Sequence, residues 1–133
     1  MKSKLQEIAS FAYDCVKEVV EVKDKDLKEK YYSHARELPS MIVHNGLLTT
    51  CAFIRSKKND EAWKKIEEHI KRYLKEIEIK EKEAEGKQVD SLVKFFSGLD
   101  LKGYRLYTRK VLYFAQWLKR VAEGELKYEE QAE

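Results

Sequence analysis

Apolar residues recur every three or four positions along almost the whole chain, which is the pattern of amphipathic helices. The first apolar stripe predicts a helix over about 3–22. Asp24 or Asp26 is suited to cap a second helix that runs to Leu38, and Pro39 predicts a sharp corner there. No segment of strand length alternates apolar and polar residues, and no internal repeat is present. The pattern therefore predicts an all-α fold.

The segment 39–56 is apolar on several faces, as expected for a helix that is surrounded by other helices. We predict that it forms the centre of the core. Gly46 lies inside this segment and costs about 1 kcal/mol relative to alanine in a helix, so we expect close helix packing at this position. His44 and Asn45 need hydrogen-bond partners if this helix is buried, and we favour a structural pair over a ligand site.

The C-terminal half continues the helical pattern. Asn59 or Asp60 is suited to cap a long helix, whose outer face is rich in glutamate and lysine. The stretch 78–88 is charged and has almost no large apolar side chain, which predicts a mobile loop. A short helix over about 89–96 should then end at Gly98.

A last long helix is predicted over about 100–123, with Gly124 as its stop. The remaining residues, 124–133, form an acidic tail that we expect to be loose. Together the pattern predicts one helical domain over 1–133, built as a bundle of about five to six helices.

Composition agrees with this picture and narrows the class of protein. Hydrophobic residues make up 43% of the 133 positions and charged residues 38%, with a single proline. No apolar run approaches the about 20 residues of a membrane span and no signal-peptide core is present, so we expect a cytoplasmic protein with no membrane partner. The many lysines and glutamates are typical of thermophile proteins. Cys15 and Cys51 lie among apolar neighbours, and we expect both to be reduced core residues.

Motifs of the common enzyme classes are missing from the sequence. The five glycines are isolated, so no glycine-rich phosphate loop can form. His34, His44 and His69 have no second histidine at the spacing of helical metal sites, and none of them follows a glutamate by three residues as in a Glu-x-x-His motif. No arginine is followed by a histidine four to six residues later, which is the fingerprint of small all-helical ribonucleases. We therefore predict no catalytic residue, no metal and no cofactor.

Positive charge is concentrated in the last predicted helix. Residues 99–122 carry six Lys/Arg against one Asp, whereas 123–133 carry five Glu against one Lys. Guanidinium groups present a planar fork of donors to phosphates, and an interleaved tyrosine can stack on an exposed base. The alternative is a soluble helix whose arginines pair with acids on neighbouring helices. At helical spacing the following side chains share one side of this helix, which we term the cationic face: Lys102, Arg105, Arg109, Tyr113, Gln116 and Arg120.

A second basic cluster, Arg55, Lys57 and Lys58, lies where the predicted central helix ends. These side chains either contact nucleic acid or complement the negative end of the helix dipole. The pattern alone does not favour one interpretation over the other.

Two blocks of the sequence resemble a known family. The first reads Arg-Glu-Leu-Pro-Ser-Met-Ile-Val-His-Asn-Gly-Leu-Leu from Arg36 onward. The second block consists of Tyr104, Tyr107, Thr108, Leu112, Trp117, Leu118, Lys119, Arg120 and Ala122. Both blocks resemble the small subunit of Cmr-type, type III-B CRISPR effector complexes, whereas 60–90 carries little of the resemblance.

The resemblance implies a non-catalytic helical subunit of an antiviral RNA-guided complex. A few copies would stack beside the repeated backbone subunits as an inner filament along the guide and target RNA. The implied partners are the other Cmr-type subunits, further copies of this chain, and guide and target RNA bound without sequence preference. The alternatives are the small subunit of the sister type III-A complex and a protein-only adaptor. The candidate nucleic-acid-binding residues are Lys102, Arg105, Arg109, Tyr113, Lys119, Arg120, Arg36, Arg55, Lys57 and Lys58.

Overall fold

The computed structural model describes residues 1–79 and 89–131, with side chains described as far as Leu126 in the last helix. Over these residues the chain forms six α-helices and one π-helical segment and contains no strand, which confirms the predicted all-α bundle. The helices are α1 Lys4–Val20, α2 Lys25–Asn45, α3 Leu47–Ser56, α4 Glu61–Tyr73, α5 Leu92–Ser97 and α6 Leu101–Gln131, and the π-helix Leu74–Glu78 continues α4.

Side-chain caps set the beginnings of α1, α2 and α4. The Ser3 hydroxyl accepts from the Gln6 backbone N–H at 3.2 Å, and the Gln6 side chain accepts from the Ser3 N–H, so a capping box opens α1. Asp24 caps α2, and Asp60 caps α4 by accepting from Trp63 N–H at 3.2 Å. The capping predictions for these two aspartates are confirmed. Each such cap contributes about 1 kcal/mol.

Helix α2 does not turn at Pro39, so the predicted corner at 38–39 is wrong. Proline in a helix interior loses one backbone hydrogen bond and costs about 3 kcal/mol. Here Pro39 is buried beside Leu38 and Ile42, in the stripe of α2 that packs against the other helices. Burial of three apolar side chains offsets the lost hydrogen bond, because each fully buried one contributes about 1.5–3 kcal/mol.

The chain breaks at Gly46 instead, so 39–56 is not one central helix. Gly46 has φ 86° and ψ 159°, a backbone conformation that is almost restricted to glycine. The prediction of close helix packing at Gly46 is therefore wrong, because the backbone angle is what requires glycine. His44 and Asn45 are exposed at the end of α2 and do not form a buried pair. Val43 is also 62% exposed.

The core lies where α6 packs against α1 and α2. Gly124 does not stop α6, which continues to Gln131, so the predicted stop is wrong. The additional turn of helix is stabilised by hydrophobic burial, because Leu126, one turn after the buried Ala122, is only 3% exposed. Of the mobile loop predicted for 78–88, the part from residue 80 lies outside the described residues. Glu78 itself ends the π-helix with a buried carboxylate.

A buried polar network joins α1, α2 and α4. The fully buried His69 lies 2.7 Å from the Tyr31 hydroxyl through Nδ1 and 3.2 Å from Glu18 Oε1 through Nε2. Burial lowers the pKa of His69 to about 4, although Glu18 acts in the opposite direction. The ring is therefore neutral near pH 7, and because a carboxylate only accepts, Nε2 carries the proton and Nδ1 accepts from Tyr31.

The two cysteines are free and buried, as predicted. Burial raises the pKa of each thiol to about 12, so neither is a ready nucleophile near neutral pH. Among the described residues no group of three or more His, Cys, Asp or Glu side chains is arranged to hold a metal ion. Within the same residues, no helix combines the length and the apolar character needed to cross a membrane.

Candidate nucleic-acid interface

The long helix α6 separates its charged and apolar side chains as its spacing predicts. Lys102, Arg105, Arg109 and Arg120 are exposed, and Tyr113 is half-buried. The opposite side of the helix packs into the core. The cationic face is therefore turned toward solvent along about five turns of one rigid helix. The buried side consists of Val111, Phe114, Ala115, Leu118 and Ala122.

The arginines of the cationic face have no acidic partner in the described part of the chain. Lys102, Arg105 and Arg109 form no ion pair there. Arg120 places its guanidinium carbon 5.3 Å from the centre of the Trp117 ring, which leaves its outer N–H donors free. Unpaired cations on a surface helix can bind an anion without first breaking an internal salt bridge. This arrangement does not support the alternative in which these arginines pair with acids on neighbouring helices.

Two other predicted arginines do have partners inside the chain. Arg36 Nε lies 3.3 Å from Glu123 Oε2, so it links α2 to α6, and its guanidinium also lies over Tyr32. Arg55 Nη1 lies 3.2 Å from Glu67 Oε1 and links α3 to α4. Both arginine side chains remain more than half exposed. A phosphate at either position would compete with an internal carboxylate.

The remaining predicted residues do not belong to the cationic face. Lys119 is half-buried and lies about a quarter turn around α6 from Arg120. Lys57 and Lys58 are exposed in the turn after α3, and the Lys57 amine lies 5.3 Å from the centre of the Phe53 ring. The structure therefore brings together five of the ten predicted residues: Lys102, Arg105, Arg109, Tyr113 and Arg120.

Beside the cationic face the structure forms a groove that the sequence did not indicate. Its volume is about 370 Å³, and it lies between α1, the end of α4 with the π-helix, and α6. We term it the α1–α6 groove. Arg109 and Tyr113 belong both to this groove and to the cationic face. The residues that line it are Lys4, Leu5, Ile8, Tyr73, Glu78, Leu106, Arg109, Lys110 and Tyr113.

An ion cluster closes one side of the α1–α6 groove. The Glu78 carboxylate is only 2% exposed and accepts from Lys110 Nζ at 2.8 Å, while Lys4 Nζ lies at 3.3 Å. The Tyr73 hydroxyl donates to its other oxygen. Burial raises the pKa of Glu78, but the hydrogen bonds from Lys110 and Tyr73 and the nearby charges lower it below the usual value overall. Glu78 is therefore an anion whose charge is balanced within the chain.

Sequence reasoning missed Lys4, Lys110 and Glu78. Lys110 follows Arg109 directly but falls outside the helical stripe, and Glu78 lies in the segment predicted to be a mobile loop. The π-helix changes the direction of Glu78, because one extra residue per turn rotates the side chains that follow. No local pattern in the sequence predicts this change in the direction of the Glu78 side chain.

The resembling block around Gly46 has a structural role next to α6. The N–H of Leu48 donates to the Tyr104 hydroxyl at 3.0 Å, so a tyrosine of α6 satisfies an N–H at the start of α3. Gly46 is the N-cap residue of α3 and has no side chain to do this. Residues of both resembling blocks thus meet at one joint.

Comparisons with known proteins agree with the resemblance. A family model described as "CRISPR-associated protein (Cas_Cmr5)" matches residues 4–125. The CRISPR system Cmr subunit Cmr5 of Thermotoga maritima is 29% identical over 123 residues, which is 92% of this chain and 84% of that protein. The crystal structure of a CRISPR-associated Cmr5 family protein from Thermus thermophilus superposes with a TM-score of 0.75 at 26% identity, covering 94% of this chain and 98% of that one. Because the family model covers residues 4–125, including both sequence blocks, this chain belongs to the Cmr5 family of CRISPR-associated proteins.

Proposed function

We propose that this chain is a non-catalytic subunit of a Cmr-type, type III-B RNA-guided complex, and that the cationic face of α6 holds the RNA backbone. The observation that carries the proposal is the row of exposed cations on one continuous helix, none of which has an ion-pair partner among the described residues. Phosphates along a strand repeat at a regular distance, so a rigid row of donors binds them whatever the base sequence. In this role the guide pairs with the target and reads its sequence, whereas this chain steadies the backbone.

The same proposal includes the partners. Other Cmr-type subunits and further copies of this chain, stacked as an inner filament, would extend the cationic row along the guide and target RNA. The family membership favours the Cmr type over the sister type III-A complex. Such a complex would work in the cytoplasm in antiviral defence, where foreign transcripts are made.

A non-catalytic role fits the chemistry of the buried groups. The one relay of hydroxyl, imidazole and carboxylate among the described residues is Tyr31, His69 and Glu18. Tyr31 and His69 are both fully buried, so no substrate reaches the hydroxyl or the ring. Burial is also the main reason that the pKa of Tyr31 is raised well above its ordinary value. These groups stabilise the bundle and are unsuited to acid–base catalysis.

The test is charge reversal on the cationic face in the assembled complex. We expect Arg105→Glu, Arg109→Glu and Arg120→Glu together to weaken retention of target RNA and to flatten its salt dependence. Each lost phosphate contact should lower the slope of log K against log salt by about 0.7–0.9. The measurement is RNA binding by the assembled particle across a salt series.

The matched control reverses three exposed lysines elsewhere, Lys17→Glu, Lys30→Glu and Lys64→Glu, which change the net charge by the same amount. We expect these to reduce binding far less. Equal losses in the two triple variants would show a non-specific charge effect and contradict the site. Unchanged retention in the arginine variant would also contradict it, and a particle that keeps its partners after RNase treatment and holds no RNA would favour the adaptor.

A further inference from the structure

The α1–α6 groove opens beside the cationic face, and the two share Arg109 and Tyr113. A strand whose phosphates contact Arg105 and Arg109 therefore passes directly along the edge of the groove. Because α6 is one continuous helix, the distance between the phosphate contacts and the groove is fixed in the folded chain. Whatever enters the groove is held at a defined position relative to the backbone.

The lining of the groove suits the flat faces of a nucleobase. Leu5 and Leu106 are 47% and 42% exposed, so both present apolar surface at the groove. Ile8 and the half-buried Tyr113 ring extend this apolar surface. Bases stack on aromatic and apolar side chains with little regard to their identity, and each stacked base contributes about 1–3 kcal/mol.

The charges around the groove favour an anionic ligand. Glu78 is the one acidic side chain among its lining residues, and Lys4 and Lys110 already balance its buried carboxylate. Arg109 then remains as an uncommitted cation at the opening. A cationic ligand would meet Lys4, Arg109 and Lys110 without a free carboxylate to pair with. A nucleotide, with an uncharged base and a phosphate outside, meets the complementary arrangement.

The size of the groove favours a nucleotide over a docked protein segment as its ligand. Its volume of about 370 Å³ falls at the lower end of small-ligand sites, which measure about 300–1,000 Å³. That space accommodates one base with its sugar. An amphipathic helix needs a groove along several turns, with positions for apolar side chains at i, i+3, i+4 and i+7. The dimensions therefore favour the nucleotide.

We infer that the α1–α6 groove binds one unpaired nucleobase of the RNA strand whose phosphates lie on Arg105 and Arg109. This inference rests on the proposed function, since it needs RNA on the cationic face. It adds a site that contacts a base to a surface that otherwise contacts only the backbone. Tyr113 and Leu106 form the stacking surface, and Arg109 fixes the adjoining phosphate.

The test compares two RNA oligonucleotides of equal length, one a uridine homopolymer and one with the same backbone but without bases. Binding to the full-length chain is followed by fluorescence anisotropy at one salt concentration. We expect the oligonucleotide with bases to bind about tenfold more tightly, from the stacking of one base. Equal affinities would contradict base binding in the groove but would remain consistent with backbone contacts on the cationic face. Failure of both oligonucleotides to bind would overturn the proposed function as well.

Two variants assign the difference to the groove. Tyr113→Ala and, independently, Leu106→Gln should remove the preference for the oligonucleotide with bases and leave affinity for the other unchanged. Tyr113→Phe keeps the ring and should keep the preference. Leu106 is 42% exposed and lies outside the buried core, so its variant is expected to fold even if Tyr113→Ala is unstable. If both variants keep the preference but lose partner subunits, the groove docks protein and the inference is wrong.

Discussion

Two groups of ionisable side chains in this chain have opposite surroundings. In the His69 network, Glu18 is held by Arg72 Nη1 at 2.7 Å, by His69 and by Lys65, so its charge is satisfied between α1 and α4. On the cationic face, Arg105 and its neighbours have no such partner among the described residues. Side chains of the same chemistry thus stabilise the fold in one place and remain available for a ligand in the other.

The comparison teaches that partners decide the role of a charge more than its type does. A buried polar group is costly unless it is hydrogen-bonded, so the fully buried His69 needs both Tyr31 and Glu18 as partners. A solvated arginine costs little and contributes little until an anion arrives. We therefore expect substitutions in the His69 network to alter the free energy of unfolding, and substitutions on the cationic face to alter RNA binding.

The largest effect is expected from His69→Ala. This change opens a cavity and leaves the buried Tyr31 hydroxyl without its acceptor, so the free energy of unfolding should fall by about 4 kcal/mol. His44→Ala is the matched control, because His44 is exposed at the end of α2. It should cost less than about 0.5 kcal/mol. Denaturant unfolding measures both, and equal costs would remove the distinction between buried and exposed histidines.

Acid should lower the stability of the fold through the same histidine, His69. The pKa of His69 falls from 6.5 to about 4 on folding, mainly because the ring is buried. The unfolded chain therefore binds a proton first, so stability is complete above the unfolded pKa and is lost as pH falls toward the folded one. Between about pH 7 and pH 5 we expect a loss of about 2 kcal/mol.

The control for the acid effect is His69→Gln, which should be nearly flat over that pH range. The groups that face His69 are Glu18 from α1, Tyr31 from α2, and Lys65 and Arg72 from α4. Partial burial raises the pKa of Glu18, but hydrogen bonds from Arg72 and His69 lower it overall, so that its own loss of stability begins at lower pH. A His69→Gln variant with the full acid loss would contradict the assignment.

Two tyrosines of α6 sharpen the comparison between its inner and outer sides. Tyr104→Phe removes the hydroxyl that accepts from the Leu48 N–H, and should cost about 1 kcal/mol of unfolding free energy. Tyr113→Phe removes a hydroxyl with no hydrogen bond among the described residues, and should be close to neutral. Thermal unfolding of the two variants provides the measurement. A Tyr113→Phe variant as unstable as Tyr104→Phe would show that the outer side is part of the fold.

The smallest expected difference concerns two arginines. Arg72→Ala leaves Glu18 without its shortest ion pair and should cost about 0.5–1 kcal/mol, since both side chains are partly exposed. Arg105→Ala should change stability by less than about 0.5 kcal/mol. It should nevertheless lower RNA affinity and its salt dependence, which Arg72→Ala should not. The two variants are compared by denaturant unfolding and by RNA titration, and a reversed order would contradict the division of roles.

Much of the candidate site was predictable because it lies on one helix. The spacing of Arg105, Arg109 and Tyr113 along α6 fixes their common direction, and no distant residue is needed to establish it. Whether an arginine is already paired was not predictable. The carboxylates of Glu123 and Glu67 reach Arg36 and Arg55 only after the helices have packed. The groove was hidden for the same reason, since three separate segments line it.

By itself, the sequence determined the helical class, the two candidates for each cap that include Asp24 and Asp60, and the division of α6 into an apolar and a charged side, because these depend on neighbours within about one turn. Only the tertiary structure decided that α2 continues through Pro39 and that α6 continues past Gly124. In both places apolar burial against other helices outweighs a local preference to stop. It also decided which charges are neutralised, because a salt bridge between helices depends on how those helices pack.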